Sequence, residues 1–123
     1  MVRFNFNKAT GILHSESYGE VSIQGMLDVL EYLKTNLELP RNLLILEDAR
    51  QAHPKFHVKD LIQVGEKVKE IVPLYQTIKH AVIHVTPTNT VYAMMFAQKH
   101  APSNYQMEVF STEEGATEWL LKK

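Results

Sequence analysis

The stretch Leu43-Leu44-Ile45-Leu46-Glu47-Asp48-Ala49-Arg50 decides the fold class. Four consecutive apolar residues are too few for a helix with a buried face, and two acids close the run. Such a segment reads as a strand covered on both faces, as parallel strands are. A polar loop is expected after it, from Ala49 to His57. On either side lies a helical pattern. Upstream, Ser22 can cap a helix in which Ile23, Met26, Leu27, Leu30, Leu33 and Leu37 recur at helical spacing, with Pro40 as the stop. Downstream, Leu61, Val64, Val68, Ile71 and Val72 form the stripe of a second helix, from about Val58 to Val72, that Pro73 ends.

The alternation continues outward. Residues 78–86, IKHAVIHVT, read as a strand, and Thr86 to Asn89 as turn and cap chemistry. A third helix is expected over Thr90–His100, then a strand over Met107–Phe110. Ser111 and Glu114 have capping-box spacing for a final helix that buries Ala116, Trp119 and Leu120. At the other end, residues 2–7 and 11–18 alternate with a period of two around a turn at Lys8–Gly11, with Gly19 closing the second strand. The expected order is ββαβαβαβα: one α/β domain over residues 1–123, with a mixed, mostly parallel sheet and right-handed crossovers.

Strand polarity adds a constraint. His80 and His84 alternate with the residues between them, His14 falls with Glu16, and Gln106 with Glu108. Strands apolar on only one side imply helices packed mainly on one face. The other face, expected to carry His80 and His84, would meet solvent, a partner or a second copy.

Bulk composition narrows the function classes. A formal net charge of −1 gives no field for holding nucleic acid or an anionic membrane. The chain has no cysteine, which removes thiolate catalysis and Cys-ligated metals and fits a reducing compartment. No apolar stretch reaches the ~18 residues of a membrane span. The N-terminal MVRFNFNK has no leader character, so a cytoplasmic location is expected.

Three segments carry a family resemblance: LLILEDAR, YAMMFAQKHA and MEVFSTEEGATEWL, with SESYGEVSIQGMLDVLEYL in keeping. They resemble the STAS-like proteins, and more narrowly the small stand-alone bacterial STAS/Sec14-like members, over nearly the whole chain. The resemblance implies a βα superhelix similar to the anti-sigma-factor antagonists. In phosphoregulated antagonists, a strand ending in an acid leads to a phosphorylatable Ser or Thr. Asp48 matches that acid, but Ala49 to His57 contains no hydroxyl, so that switch is not expected here. The resemblance to Sec14-type domains implies an apolar cavity for a lipid-like ligand.

Candidate site residues follow. Asp48 and Arg50 stand where open α/β sheets place ligand crevices, and could bind an anion or position a partner; the commoner role is local loop hydrogen bonding. His53 and His57 are four apart with Asp60 behind them, but Pro54 intervenes and no HExxH motif is present, so no metal site is assigned. His80 and His84, four apart on a strand, lie ~13 Å apart and cannot share one metal. Thr86, Asn89 and Thr90 gather at a helix start without the glycines of a phosphate loop, where capping is the commoner role. Tyr92 and Met95, on the third helix, read as core or as the wall of an acyl pocket. No nucleophile elbow or carboxylate pair points to catalysis, and no cofactor is implied. The expectation is a non-enzymatic regulatory or protein-interaction module that binds a protein partner or itself as a homodimer. A carrier of a small apolar ligand is the alternative.

Overall fold

The structure, a computed structural model, describes residues 2–36, 38–84 and 104–122. Strand β1 (Val2–Asn7) turns back into β2 (Ile12–Val21), helix α1 (Ile23–Thr35) leads to β3 (Asn42–Pro54), and α2 (Leu61–Ile71) to β4 (Thr77–Ile83). Strand β5 (Tyr105–Phe110) and helix α3 (Glu113–Leu121) complete the described chain. The expected helix over Thr90–His100 lies outside the described residues.

Local chemistry explains the boundaries. The β1–β2 turn is held by the Asn7 side chain, whose Oδ1 accepts from the backbone N–H groups of Ala9 and Thr10. Gly11 supplies the positive φ, 76°, that the turn requires. Ser22 caps α1 by accepting from Gly25 N–H at 3.0 Å. The helix ends at Thr35, short of the expected Leu37. Short 3-10 turns, Val58–Asp60 and Val72–Leu74, bracket α2, and Pro73 stands in the second. The cap of α3 is Thr112 rather than Ser111: its Oγ1 accepts from Gly115 N–H at 3.1 Å.

The sheet runs β1-β2-β3-β4-β5, antiparallel at β1–β2 and parallel elsewhere. The sheet is mixed and mostly parallel, as the alternating pattern implies. Against the expectation of a loop, Ala49 to Pro54 continues β3. The side chains there are polar, but the backbone is paired with β2, from Tyr18↔Gln51 to Val21↔Pro54. Backbone pairing needs no apolar side chain, and Pro54 sits at the strand's last position, where its missing donor matters least. For the same reason β2 runs past Gly19, which adopts a φ of +72° inside the strand.

One irregularity shapes the site. Glu16 pairs with Asp48 but Tyr18 pairs with Gln51, so β3 carries one extra residue opposite Ser17. This bulge re-aims the side chains that follow it, and Ala49 and Ala52 both reach the same core cluster with Val82.

Two of the three described helices cover one face. There Leu13, Ile45 and Ile78 of the sheet pack with Leu33 of α1 and Val64, Val68 and Ile71 of α2. On the opposite face α3 lays Ala116 and Leu120 onto Ile12, Leu46, Ala81 and Ile83. The β1–β2 side of that second face keeps exposed polar residues, Arg3, Asn5 and Glu16 among them.

Gly19 isolates a backbone effect. A Cβ built there meets nothing within 4 Å, so a Gly19→Ala change costs only the left-handed conformation, about 1–2 kcal/mol before a partial offset from the stiffer unfolded chain. Urea unfolding of that variant should show a net loss near ~1 kcal/mol with an unchanged m-value; unaltered stability would contradict the assigned conformation.

Candidate ligand-binding site

Three neighbouring strands each aim one polar side chain into the layer covered by α1 and α2. They are Glu47 of β3, His80 of β4 and Tyr105 of β5. The His80 ring joins the other two: Nε2 lies 2.7 Å from Glu47 Oε1 and Nδ1 lies 2.6 Å from the Tyr105 hydroxyl. This placement corrects the expected open-face position of His80 and His84. Their strand face is the one that carries Ile78 and Val82, which are 2 % and 1 % exposed. The opposite side of β4 bears Lys79, whose ammonium donates to the Trp119 carbonyl at 2.8 Å and sits over the Trp119 ring.

The cluster faces a void. A cavity of about 170 Å³ lies between the sheet and the two helices. Its walls are mainly apolar, with Phe4, Leu30, Val64, Ile71 and Met107 among them, and its polar lining includes Ser15, Ser17, Glu47, His80 and His84. Glu47 lines this cavity and keeps 30 % side-chain exposure on the covered face. In engineered proteins an apolar void of ~150 Å³ holds benzene, whereas drug-sized ligands take ~300–1,000 Å³. The space therefore suits a single small ring or short chain rather than a full lipid tail.

The electrostatics follow from the enclosure. Burial alone would raise the Glu47 pKa, but the hydrogen bond from His80 and the nearby charges of His80 and His84 outweigh it and hold the carboxyl below its ordinary value. Burial, reinforced by the Glu47 charge, pushes the Tyr105 phenol well above its usual range. A phenol held protonated is a hydrogen-bonding group and a poor nucleophile or base. When the His80 ring is neutral its proton sits on Nε2, facing Glu47, and Nδ1 accepts from Tyr105. His84 is depressed below 6.5, chiefly by burial and slightly by His80, against an opposing pull from Glu47. Its Nδ1 is enclosed without a hydrogen-bond partner among the described residues.

The residues singled out from the sequence lie elsewhere. Asp48 and Arg50 stay together, but inside β3. Arg50 donates from Nε and Nη2 to the two carboxylate oxygens of Asp48, at 2.9 and 2.6 Å. These donors, against a smaller cost of burial, keep the Asp48 carboxyl below its usual range. The pair satisfies itself in a surface depression beside Glu16, Tyr18 and Gln51. His53 is an exposed strand residue opposite Glu20. His57 donates its backbone N–H to Asp60 Oδ2 at 3.0 Å, a local turn contact. Among the described residues no three His, Asp or Glu side chains gather as metal ligands. Thr86, Asn89, Thr90, Tyr92 and Met95 lie outside the described residues.

No family model and no curated protein matches the chain. Among solved structures, an uncharacterised DUF3478-family protein from Shewanella loihica, described as having a SpoIIAA-like fold, aligns with a TM-score of 0.63 at 14 % identity. The alignment covers 97 % of this chain and 93 % of that one. This chain has a SpoIIAA-like fold. The STAS-like resemblance read from LLILEDAR and its companions is thereby upheld at the level of fold. In this SpoIIAA-like chain no described helix is long and apolar enough to cross a membrane.

The depressed His84 makes a signed prediction. The unfolded ring takes up a proton as pH falls below about 6.5, while the folded one resists, so stability is full above that pH and declines below it. Glu47 acts in the same direction at lower pH, because its folded carboxyl also sits below its unfolded value of 4.5. Urea unfolding should report a loss of stability from pH 7 to pH 5 that His84→Gln flattens. An unchanged slope in that variant would refute the enclosed, neutral ring.

Proposed function

We propose that this chain is a non-enzymatic regulatory module of the SpoIIAA-like kind whose input is a small, largely apolar ligand bound between the sheet and helices α1 and α2. The observation that carries the reading is the cavity with a pre-paired polar cluster in its wall. Placing Glu47 and His80 in a mainly apolar layer costs stability, which well-packed apolar residues would not. A function for the cavity gives that cost a reason. The raised phenol of Tyr105 favours binding over catalysis.

A second reading, contact with a protein partner or a second copy, is favoured by the uncovered part of the other sheet face. There Arg3 donates to the Tyr18 hydroxyl at 2.9 Å and Asp48 pairs with Arg50, which places ordered polar groups on exposed strands. The two readings are compatible, because β3 carries Glu47 toward the cavity and Asp48 toward this face.

Toluene is the simplest probe of the cavity. At ten times its Kd a ligand stabilises by ~1.4 kcal/mol, which raises Tm by roughly 3–6 °C for a chain of this size. Toluene should raise Tm by that amount, and Ala49→Leu, which fills the cavity from its sheet wall, should remove the effect while keeping a cooperative transition. No toluene response in the wild-type chain would overturn the ligand reading.

A further inference from the structure

Four polar groups on the cavity wall have no hydrogen-bond partner among the described residues. One is the second carboxylate oxygen of Glu47, since only Oε1 meets His80. Two are the hydroxyls of Ser15 and Ser17, residues 5 % and 7 % exposed on the covered face of β2. The fourth is the enclosed Nδ1 of His84. The strand register assembles them. Ser15 stands opposite Glu47 across the β2–β3 pairing, and Ser17 lies at the bulge one row further along, toward His84.

Only the His84 nitrogen is fully enclosed; the other three open onto the cavity, where a ligand can reach them. Buried polar groups are nearly always partnered, because leaving them unmet costs free energy. A ligand that partners His84 recovers that cost, and one that also meets Glu47 and the two serines gains further hydrogen bonds. The polarity of the wall then decides which ligand. An ionised carboxylate accepts and cannot donate, a neutral imidazole offers one acceptor nitrogen, and serine hydroxyls turn to either role. The strongest unmet group, the Glu47 oxygen, is an acceptor and carries charge.

We infer that, within the ligand-binding reading above, the cavity selects a compact apolar molecule bearing one hydrogen-bond-donating group, a hydroxyl or an amine, and rejects carboxylates. The donor seats on Glu47, with Ser15 and Ser17 beside it, and the apolar body lies toward Leu30 and Val64. A carboxylate at the same place would meet a like charge in a partly buried setting, where screening is weaker than in bulk water.

Calorimetric titration with four probes that share a benzyl or phenyl body tests this: toluene, benzyl alcohol, benzylamine and benzoate. Benzyl alcohol and benzylamine should each bind about tenfold or more tighter than toluene, and benzoate weaker than toluene. The Glu47→Gln variant should lose the benzylamine preference and admit benzoate. Should that variant fail to fold, Ser17→Ala should lower benzyl alcohol affinity several-fold and leave toluene affinity in place. Equal affinity for all four probes would overturn this inference and keep the ligand reading. Preferred binding of benzoate would overturn it as well. Binding of none would overturn both.

Discussion

The imidazole of His80 is the contact on which the rest of the described site depends. It spans three strands, with Glu47 on one side and Tyr105 on the other, in the layer where helices α1 and α2 meet the sheet. The parallel register makes the contact available: Ile45 pairs with His80 and Ile78 with Tyr105, so the three polar side chains fall on one diagonal. Without the imidazole between them, an ionised carboxylate and a buried phenol would each be left without a partner in apolar surroundings. The ring helps to hold the carboxyl ionised, while burial and the Glu47 charge keep the phenol protonated.

The bulge in β3 gives the cluster room. One extra residue opposite Ser17 directs Ala49 and Ala52 into the core, where a regular strand would have sent alternate residues outward. Two small side chains on the wall, in place of larger ones, leave the space that Glu47 and His84 border. On the other side of the same strand the bulge leaves Asp48 and Arg50 as a closed ion pair near the surface. The two faces of β3 therefore carry different arrangements, an acid with one oxygen left open inside and a closed ion pair outside.

Much of the fold was legible from patterning. The run Leu43–Leu46 marks the central strand, and the helical stripes of Leu30 and Leu33 and of Val64 and Val68 mark the covering helices, because burial imposes these periods directly. Strand length was less legible. Ala49 to Pro54 is polar yet paired, since backbone hydrogen bonds ask little of side chains. The site was the least legible part. His80 and His84 were recognisable as sharing a face, but polar type suggested an outward one. Their neighbours Ile78 and Val82 carried the contrary signal, because branched apolar residues on both sides of a histidine mark a buried face. Glu47 was hidden by its place next to Asp48. Both read as the acidic end of a strand, and only alternation with Leu43 and Ile45 separates the inward acid from the outward one. Tyr105 and the serines of β2 offered no local signal, since their role comes from register across strands.

His80 and His84 both line the cavity, and nitrogen-15 NMR of the histidine rings observes them directly. With His80 bridging Glu47 and Tyr105, and His84 bordering the same cavity, adding benzyl alcohol should shift the ring signals of these two residues. Those of His14, His53 and His57, which lie away from the cavity lining, should stay in place. Shifts confined to His53 and His57, or no shift at His80 and His84 under saturating probe, would contradict the account.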